Sequence, residues 1–245
     1  QMIESISRLS SGDARRALSI LERVVLSQPP GAEVDSDTFA ELMGRPDLLH
    51  DRDGDAHYDV VSAFIKSMRG SDPDASLYWM ARMLEGGEDP MFIARRLVIF
   101  ASEDVGNADP RSLPLAVSAM QAVHLVGMPE AELILSQACT WLACAPKSNA
   151  STLAIGRAKQ MVRRMGAQPV PPHLRNAPTE LAKELGHGTA YRLPHDFPHH
   201  IVAQQYLPSS MEDARFYEPT HQGAEKTISE RLQWWRGQLA SREDD

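Results

Sequence analysis

Apolar positions recur at spacings of three and four over most of this chain, the period of helices that bury one face. Ile6, Leu9, Ala14, Ala17, Leu18, Leu21, Val24 and Val25 follow it first, interrupted by Ser11-Gly12-Asp13, which reads as a turn and an N-cap. The prediction is a short helix, a turn and a longer helix, ended by Gln28-Pro29-Pro30-Gly31, a linker signal. From Asp55 a second stripe runs through Tyr58, Val61, Phe64, Ile65 and Met68 to a stop at Gly70. Asp72-Pro73, Asp89-Pro90 and Asp109-Pro110 then mark helix starts, because Asp accepts from free backbone N–H groups and Pro costs nothing in the first turn. Met128-Pro129-Glu130 opens a further helix, and Gly86-Gly87, Gly106 and Gly127 are the stops. Short turns between such helices favour antiparallel neighbours.

The helix predicted from Ala131 to Ala145 is apolar on nearly every side, with Leu133, Ile134, Leu135, Ala138, Trp141 and Leu142. That pattern places it centrally in a bundle. Another helix is expected from Ala150 to Met165, and a short one after a Pro-rich turn, ending at Gly186. From His187 to Gln222 prolines break the period, predicting loops and a short hairpin. A last helix from Ala224 to Ala240 sets Ile228, Leu232, Trp235 and Leu239 on one face. The fold class is therefore all-α, a bundle of antiparallel helices with an irregular Pro-rich segment near the C-terminus. The main boundary falls in a linker over 29–52, separating 1–28 from a helical domain over 53–245.

Composition narrows the chemistry. With 42% hydrophobic and 24% charged residues the chain is ordinary for a globular protein, and it shows neither a membrane-length apolar run nor a signal-peptide progression. A net charge of −8 disfavours general coating of nucleic acid, which relies on clustered Lys and Arg. Cys139 and Cys144 read as reduced core thiols of a cytoplasmic protein. Gln1 is followed by Met2 and then at once by helical pattern, a start expected of a piece of a larger protein.

No Gly is followed by Lys and the dipeptide Asp-Glu does not occur, so the sequence carries neither a P-loop nor a Walker B end. Asp51, Asp53 and Asp55 imitate the start of a calcium loop, but Ala56 and Ser62 stand where it needs Gly and Glu; a turn and a helix cap are expected instead. His195, His199, His200 and His221 lie in the irregular segment; no Cys joins them and no metal site is expected. Glu103 and Asp104 could act as acid and base, yet capping or a salt bridge with Arg95 or Arg96 is the plainer expectation. Arg157, Lys159, Arg163 and Arg164 follow Lys147 on and before one helix, with Arg157, Met161 and Arg164 sharing a face. These five are candidate contacts for DNA or an acidic partner, set against a merely solvated face.

Several stretches resemble one family. SSGDARRAL, GDAHYDVVSAFIKSMRGSDPDASLYWMARMLEGGEDP, IARRLVIFASEDVGNADP, LACAPKSNA, VPPHLRNAPT and YEPT together look like the C-terminal half of the replication-associated recombination protein A family. It is also called maintenance of genome stability protein A, and its eukaryotic relative is the Werner-helicase-interacting ATPase. The resemblance implies a clamp-loader-like AAA+ ATPase of stalled forks, cytoplasmic and nucleoid-associated, with an ATPase core, a helical lid and a tetramer-forming C-terminal domain. GDARRAL matches the end of the lid, so the family's sensor-2 arginine falls on Arg15, with Arg16 the second candidate. ATP and Mg are then cofactors of the intact parent, with none in this fragment, which is expected not to be an enzyme by itself. The implied partners are further copies in a homotetramer, DNA at replication forks, and replisome or single-strand-binding proteins, with no membrane. An independent small-molecule enzyme stands as a rival, to be recognised by a deep polar pocket with several titratable groups.

Overall fold

A computed structural model describes residues 14–27, 55–179 and 188–240, with Ile6, Pro29, Phe39, Leu181 and Glu184 besides. The linker over 29–52, the Asp51–Asp53 run and most of the short helix expected before Gly186 lie outside the described residues. Every regular element among the described residues is helical, so the all-α reading holds. The chain divides into two compact units, 1–60 with 81–88, and 61–80 with 89–245.

In the first unit, helix α1 (Ala14–Leu26) buries Ile20 and Val24, which cluster with Ile6, Phe39 and Ala17. Leu18, Leu21 and Val25, in register by period, are exposed. Helices α2 (Asp55–Arg69) and α3 (Pro73–Glu85) follow, each divided between the two units, with 61–80 in the second. At their junction Gly70 N–H donates to Lys66 at 2.8 Å, and the Asp72 carboxylate accepts from Ala75 N at 2.9 Å. Pro73 opens α3 as the cap pattern predicts, a device worth about 1 kcal/mol. Val61, Phe64 and Met68 are buried on α2, whereas Tyr58 is exposed.

The second unit centres on α4 (Pro90–Phe100), α5 (Ser112–Val126) and α6 (Ala131–Cys144), each packed against the other two. Asp89 caps α4 through Met91 N at 2.9 Å. Its inward face carries Ile93, Ala94, Leu97 and Phe100. Asp109-Pro110 does not start a helix in the same way. The Asp109 carboxylate accepts from Arg111 N–H and guanidinium, Pro110 stays in the preceding turn, and α5 begins at Ser112. Helix α6 buries Ala131, Leu135, Ala138, Cys139, Leu142 and Ala143 but leaves Leu133 73% exposed. It is one face of a three-way core rather than a helix enclosed on all sides. Of the two thiols, Cys139 is buried and Cys144 exposed, so only the first is a core residue.

Helix α7 (Ala150–Met165) has the predicted bounds, and α8 (Glu225–Ala240) begins one residue later than expected. Between them lie single 3₁₀ turns at Pro172–Leu174, Pro194–Asp196, Pro198–His200 and Ser209–Met211. No strand occurs among the described residues, so the expected hairpin is replaced by turns. Prolines at or just before each turn set φ and withhold the N–H that a ladder would need.

Candidate functional site

Helix α4 does not end in a simple cap. It runs into a π-helical turn, Ala101–Val105, and then a 3₁₀ turn, Gly106–Ala108. Single π turns often mark functional positions, because they re-aim side chains at a cost in backbone regularity. Here the turn buries Asp104, whose carboxylate takes two hydrogen bonds from Arg69, at 2.5 and 3.2 Å. The expected partners Arg95 and Arg96 are not used; Arg95 pairs instead with Asp89 at 3.3 Å. Glu103 lies 4.0 Å from the same Arg69 guanidinium, so these acids act as a structural ion pair at the end of α2.

The segment before α7 closes over this turn. Ser148 N–H donates to Asp104 O at 2.8 Å, and Thr152 Oγ1 donates to Glu103 O at 3.2 Å. Gly106 has φ +52°, and a Cβ there would lie 2.7 Å from Ser148 O, so only glycine lets the two backbones meet. Asn107 Nδ2 donates to Ser151 Oγ at 3.2 Å and to Tyr217 Oη at 3.0 Å.

Tyr217 belongs to the segment that leads into α8, and its hydroxyl donates to Glu225 Oε1 at 2.7 Å. Glu225 is fully buried. It accepts also from Ser148 Oγ, from Thr220 Oγ1 at 2.6 Å and from Thr220 N at 3.1 Å. Burial alone would raise its carboxyl; the hydrogen bonds from Ser148, Thr220 and Tyr217 outweigh it and hold the group below the ordinary glutamate value. Gly223, at φ +50°, brings Ala224 N–H to Ala108 O at 2.8 Å, and a Cβ would strike that carbonyl. The stretches EDVGNADP, PKSNA and YEPT thus form one buried polar junction. Sequence reasoning missed Glu225; its signal is an acid in the first turn of a helix, two residues after Gly223.

The five basic candidates separate. Half-buried Lys147 is absorbed internally: it donates to Ala143 O at 2.9 Å, Ala145 O at 2.5 Å and Ser71 Oγ at 3.2 Å. Burial pulls its ammonium below the usual lysine range. Arg157 pairs with Glu218 at 2.9 Å and donates to Phe216 O at 3.3 Å. Arg164 reaches Met161 Sδ at 3.1 Å, in keeping with the expected shared face. Lys159 and Arg163 are exposed along the same helix. The side chains of Arg15 and Arg16 lie outside the described residues, though their backbone is in α1. In the irregular segment the His195 and His200 rings stand edge-on at 5.1 Å, and His199 meets Trp234. No group of three metal-ligand side chains is gathered among the described residues. No described helix is long and apolar enough to cross a membrane.

The outer surface carries apolar side chains where α5 turns into α6. Leu125 is 82% exposed, with Val126, Met128 and Leu133 also open. Leu153, Ile155 and Val162 do the same on α7.

Comparison with known proteins agrees with this arrangement of motifs. The family described as MgsA AAA+ ATPase C terminal matches residues 70–236, and that described as AAA C-terminal domain matches residues 1–69. The chain is 44% identical over 241 residues to the replication-associated recombination protein A of Haemophilus influenzae, covering 97% of this chain and 54% of that protein. It is 44% identical over 239 residues to the protein of the same name in Escherichia coli K12, covering 94% and 53%. With an uncharacterized AAA domain-containing protein of Mycobacterium tuberculosis it shares 48% over 233 residues, covering 95% and 52%. The chain thus spans about half the length of these relatives. This chain belongs to the MgsA family of AAA+ ATPases, of which it represents the C-terminal part.

Proposed function

We propose that this chain is the part of a clamp-loader-like AAA+ ATPase that holds subunits together, assembling a homotetramer. The parent would act in replication-fork maintenance, recombination and DNA repair. The observation that supports this reading is the open apolar edge from Leu125 to Leu133. A chain alone in water leaves these side chains hydrated, and covering a leucine fully contributes about 2 kcal/mol. Large exposed apolar patches are a mark of protein–protein contact. ATP and Mg belong to the rest of the parent; there Arg15, or next to it Arg16, would reach the γ-phosphate. The domain division, a lid end over 1–28, a linker over 29–52 and the assembly domain over 53–245, is part of the same proposal. Sedimentation equilibrium of Leu125→Asp with Leu133→Asp tests it: the double variant is expected to fall to a lower mass with its helicity intact, and an unchanged mass would exclude this edge.

A second reading is favoured by α7, which carries Arg157, Lys159, Arg163 and Arg164 and no acidic residue in a chain of net charge −8. Such a face would contact DNA at replication forks through phosphates. Replisome or single-strand-binding proteins would meet the parent there. Reversing Arg157 and Arg164 to Glu is expected to abolish binding to forked DNA while leaving the oligomer whole. Binding that ignores salt, or survives the reversal, would remove the idea.

A further inference from the structure

Helix α8 carries Leu232, Trp235, Arg236 and Leu239 at helical spacing, and these side chains line one wall of an open cavity of about 380 Å³. Pro194, Ile201 and Val202 line the opposite wall, with Tyr206 and Arg215 also bordering the space. The lining is thus mainly apolar, aliphatic and aromatic together, with the rings partly open to solvent: Trp235 is 38% and Tyr206 49% exposed.

Charge distinguishes this groove from the rest of the molecule. Arg215, Arg236 and His200 line it and no carboxylate does, although the chain as a whole is at −8. Among the described residues neither guanidinium forms an ion pair, and Arg215 donates to the carbonyls of Glu212 and Ala214. Two unpaired arginines beside an apolar space suit an anion attached to something greasy.

The backbone supplies a second, independent observation. Residues 201–206 adopt no helix, turn or strand pairing, and among the described residues the N–H groups of Val202, Ala203, Gln204, Gln205 and Tyr206 donate to no backbone carbonyl. Among the described residues the buried Nε2 atoms of Gln204 and Gln205 have no hydrogen-bond partner, while Gln204 Oε1 accepts from Arg192 N at 2.8 Å. A run of open amides beside an apolar groove is what an added peptide backbone satisfies. A nucleic acid offers no matching row of backbone carbonyls and would leave these amides unmet.

We propose that the groove between residues 194–206 and α8 is a docking site for an acidic peptide segment of a partner protein. An apolar side chain of that segment fills the space between Leu232 and Val202. Its carboxylates pair with Arg215 and Arg236, and its backbone carbonyls meet the open amides of 202–206. This site is distinct from the apolar edge and from the basic face of α7, so it stands or falls separately from the assembly proposed above.

The test titrates the whole chain with a fluorescein-labelled dodecapeptide of alternating aspartates, leucines and phenylalanines. A second peptide has lysines in place of the aspartates, and unlabelled oligothymidine is the competitor. Binding of the acidic peptide is expected at roughly micromolar Kd, weakening with salt, with at least roughly tenfold loss in Arg215→Glu with Arg236→Glu. Replacing alternate peptide amides by esters, whose carbonyls accept hydrogen bonds more weakly, is expected to weaken it as well. The far-ultraviolet circular dichroism and oligomer mass of the double variant should match those of the parent chain. No binding of the acidic peptide, equal binding of the lysine peptide, full affinity in the double variant, or displacement by oligothymidine would each overturn the proposal.

Discussion

Glu225 shows how one residue can hold distant parts of a chain together. It is fully buried and satisfied by two hydroxyls of the loops, a phenol and a backbone N–H. Its carboxyl sits lower in the folded chain than the ordinary value of 4.5. A depressed carboxyl contributes stability above the unfolded value, and that contribution disappears as pH falls through the folded one. Glu225→Gln keeps the shape and loses the charge, and is expected to cost about 2 kcal/mol at pH 7. Urea midpoints measured from pH 7 to pH 3 should then show a shallower acid decline in the variant than in the parent chain; parallel declines would assign the acid sensitivity elsewhere. Cysteine chemistry gives a second prediction at this scale. Burial pushes the Cys139 thiol up to about 12, while Cys144 is exposed. A thiol reagent at pH 8 should therefore label Cys144 promptly and Cys139 only on unfolding. Neither residue's environment was legible from its neighbours, because both lie in one apolar helix. The same limit explains Asp104. Local spacing pointed to Arg95 and Arg96, but the π turn and the fold bring it to Arg69, a contact that periodicity does not encode.

Elements were more readable than contacts. Asp and Pro at α3 and α4 set their starts through cap hydrogen bonds that are local in sequence. Period and flanking residues were enough for the bounds of α7. The same signal misplaced the start of α5, because Asp109 gives its carboxylate to Arg111 instead of to a first-turn cap. The stretches that carry the family resemblance were visible as strings; that EDVGNADP, PKSNA and YEPT meet in one junction was not. Their meeting makes the segment from Tyr217 to α8 a clasp on the π turn. The amide of Ala224, bonded to Ala108 O, is expected to exchange with deuterium as slowly as amides of α4. Gly223→Ala places a Cβ on that carbonyl and should release the clasp, with a cost of at least about 2 kcal/mol. Hydrogen exchange followed by mass spectrometry checks both, and fast exchange at Ala224 in the parent chain would show that the clasp opens freely.

At the scale of the whole molecule, a three-helix core of α4, α5 and α6 accounts for most large buried side chains of the second unit. It does not cover Leu125, Val126, Met128 and Leu133. Isolated exposed leucines are ordinary; four apolar side chains at one helix corner form a surface that assembly would bury. The sequence pattern had assigned Leu133 to an enclosed helix; instead α6 buries one face inside the chain and leaves Leu133 open. On the proposed reading the parent's chemistry belongs to its other half, and this chain would supply the surface that brings copies together. The mass of this chain in solution, measured by sedimentation equilibrium at micromolar concentration, bears on that most directly. Four copies, reduced by Leu125→Asp with Leu133→Asp, is the expected result; a monomer across that concentration range would contradict it.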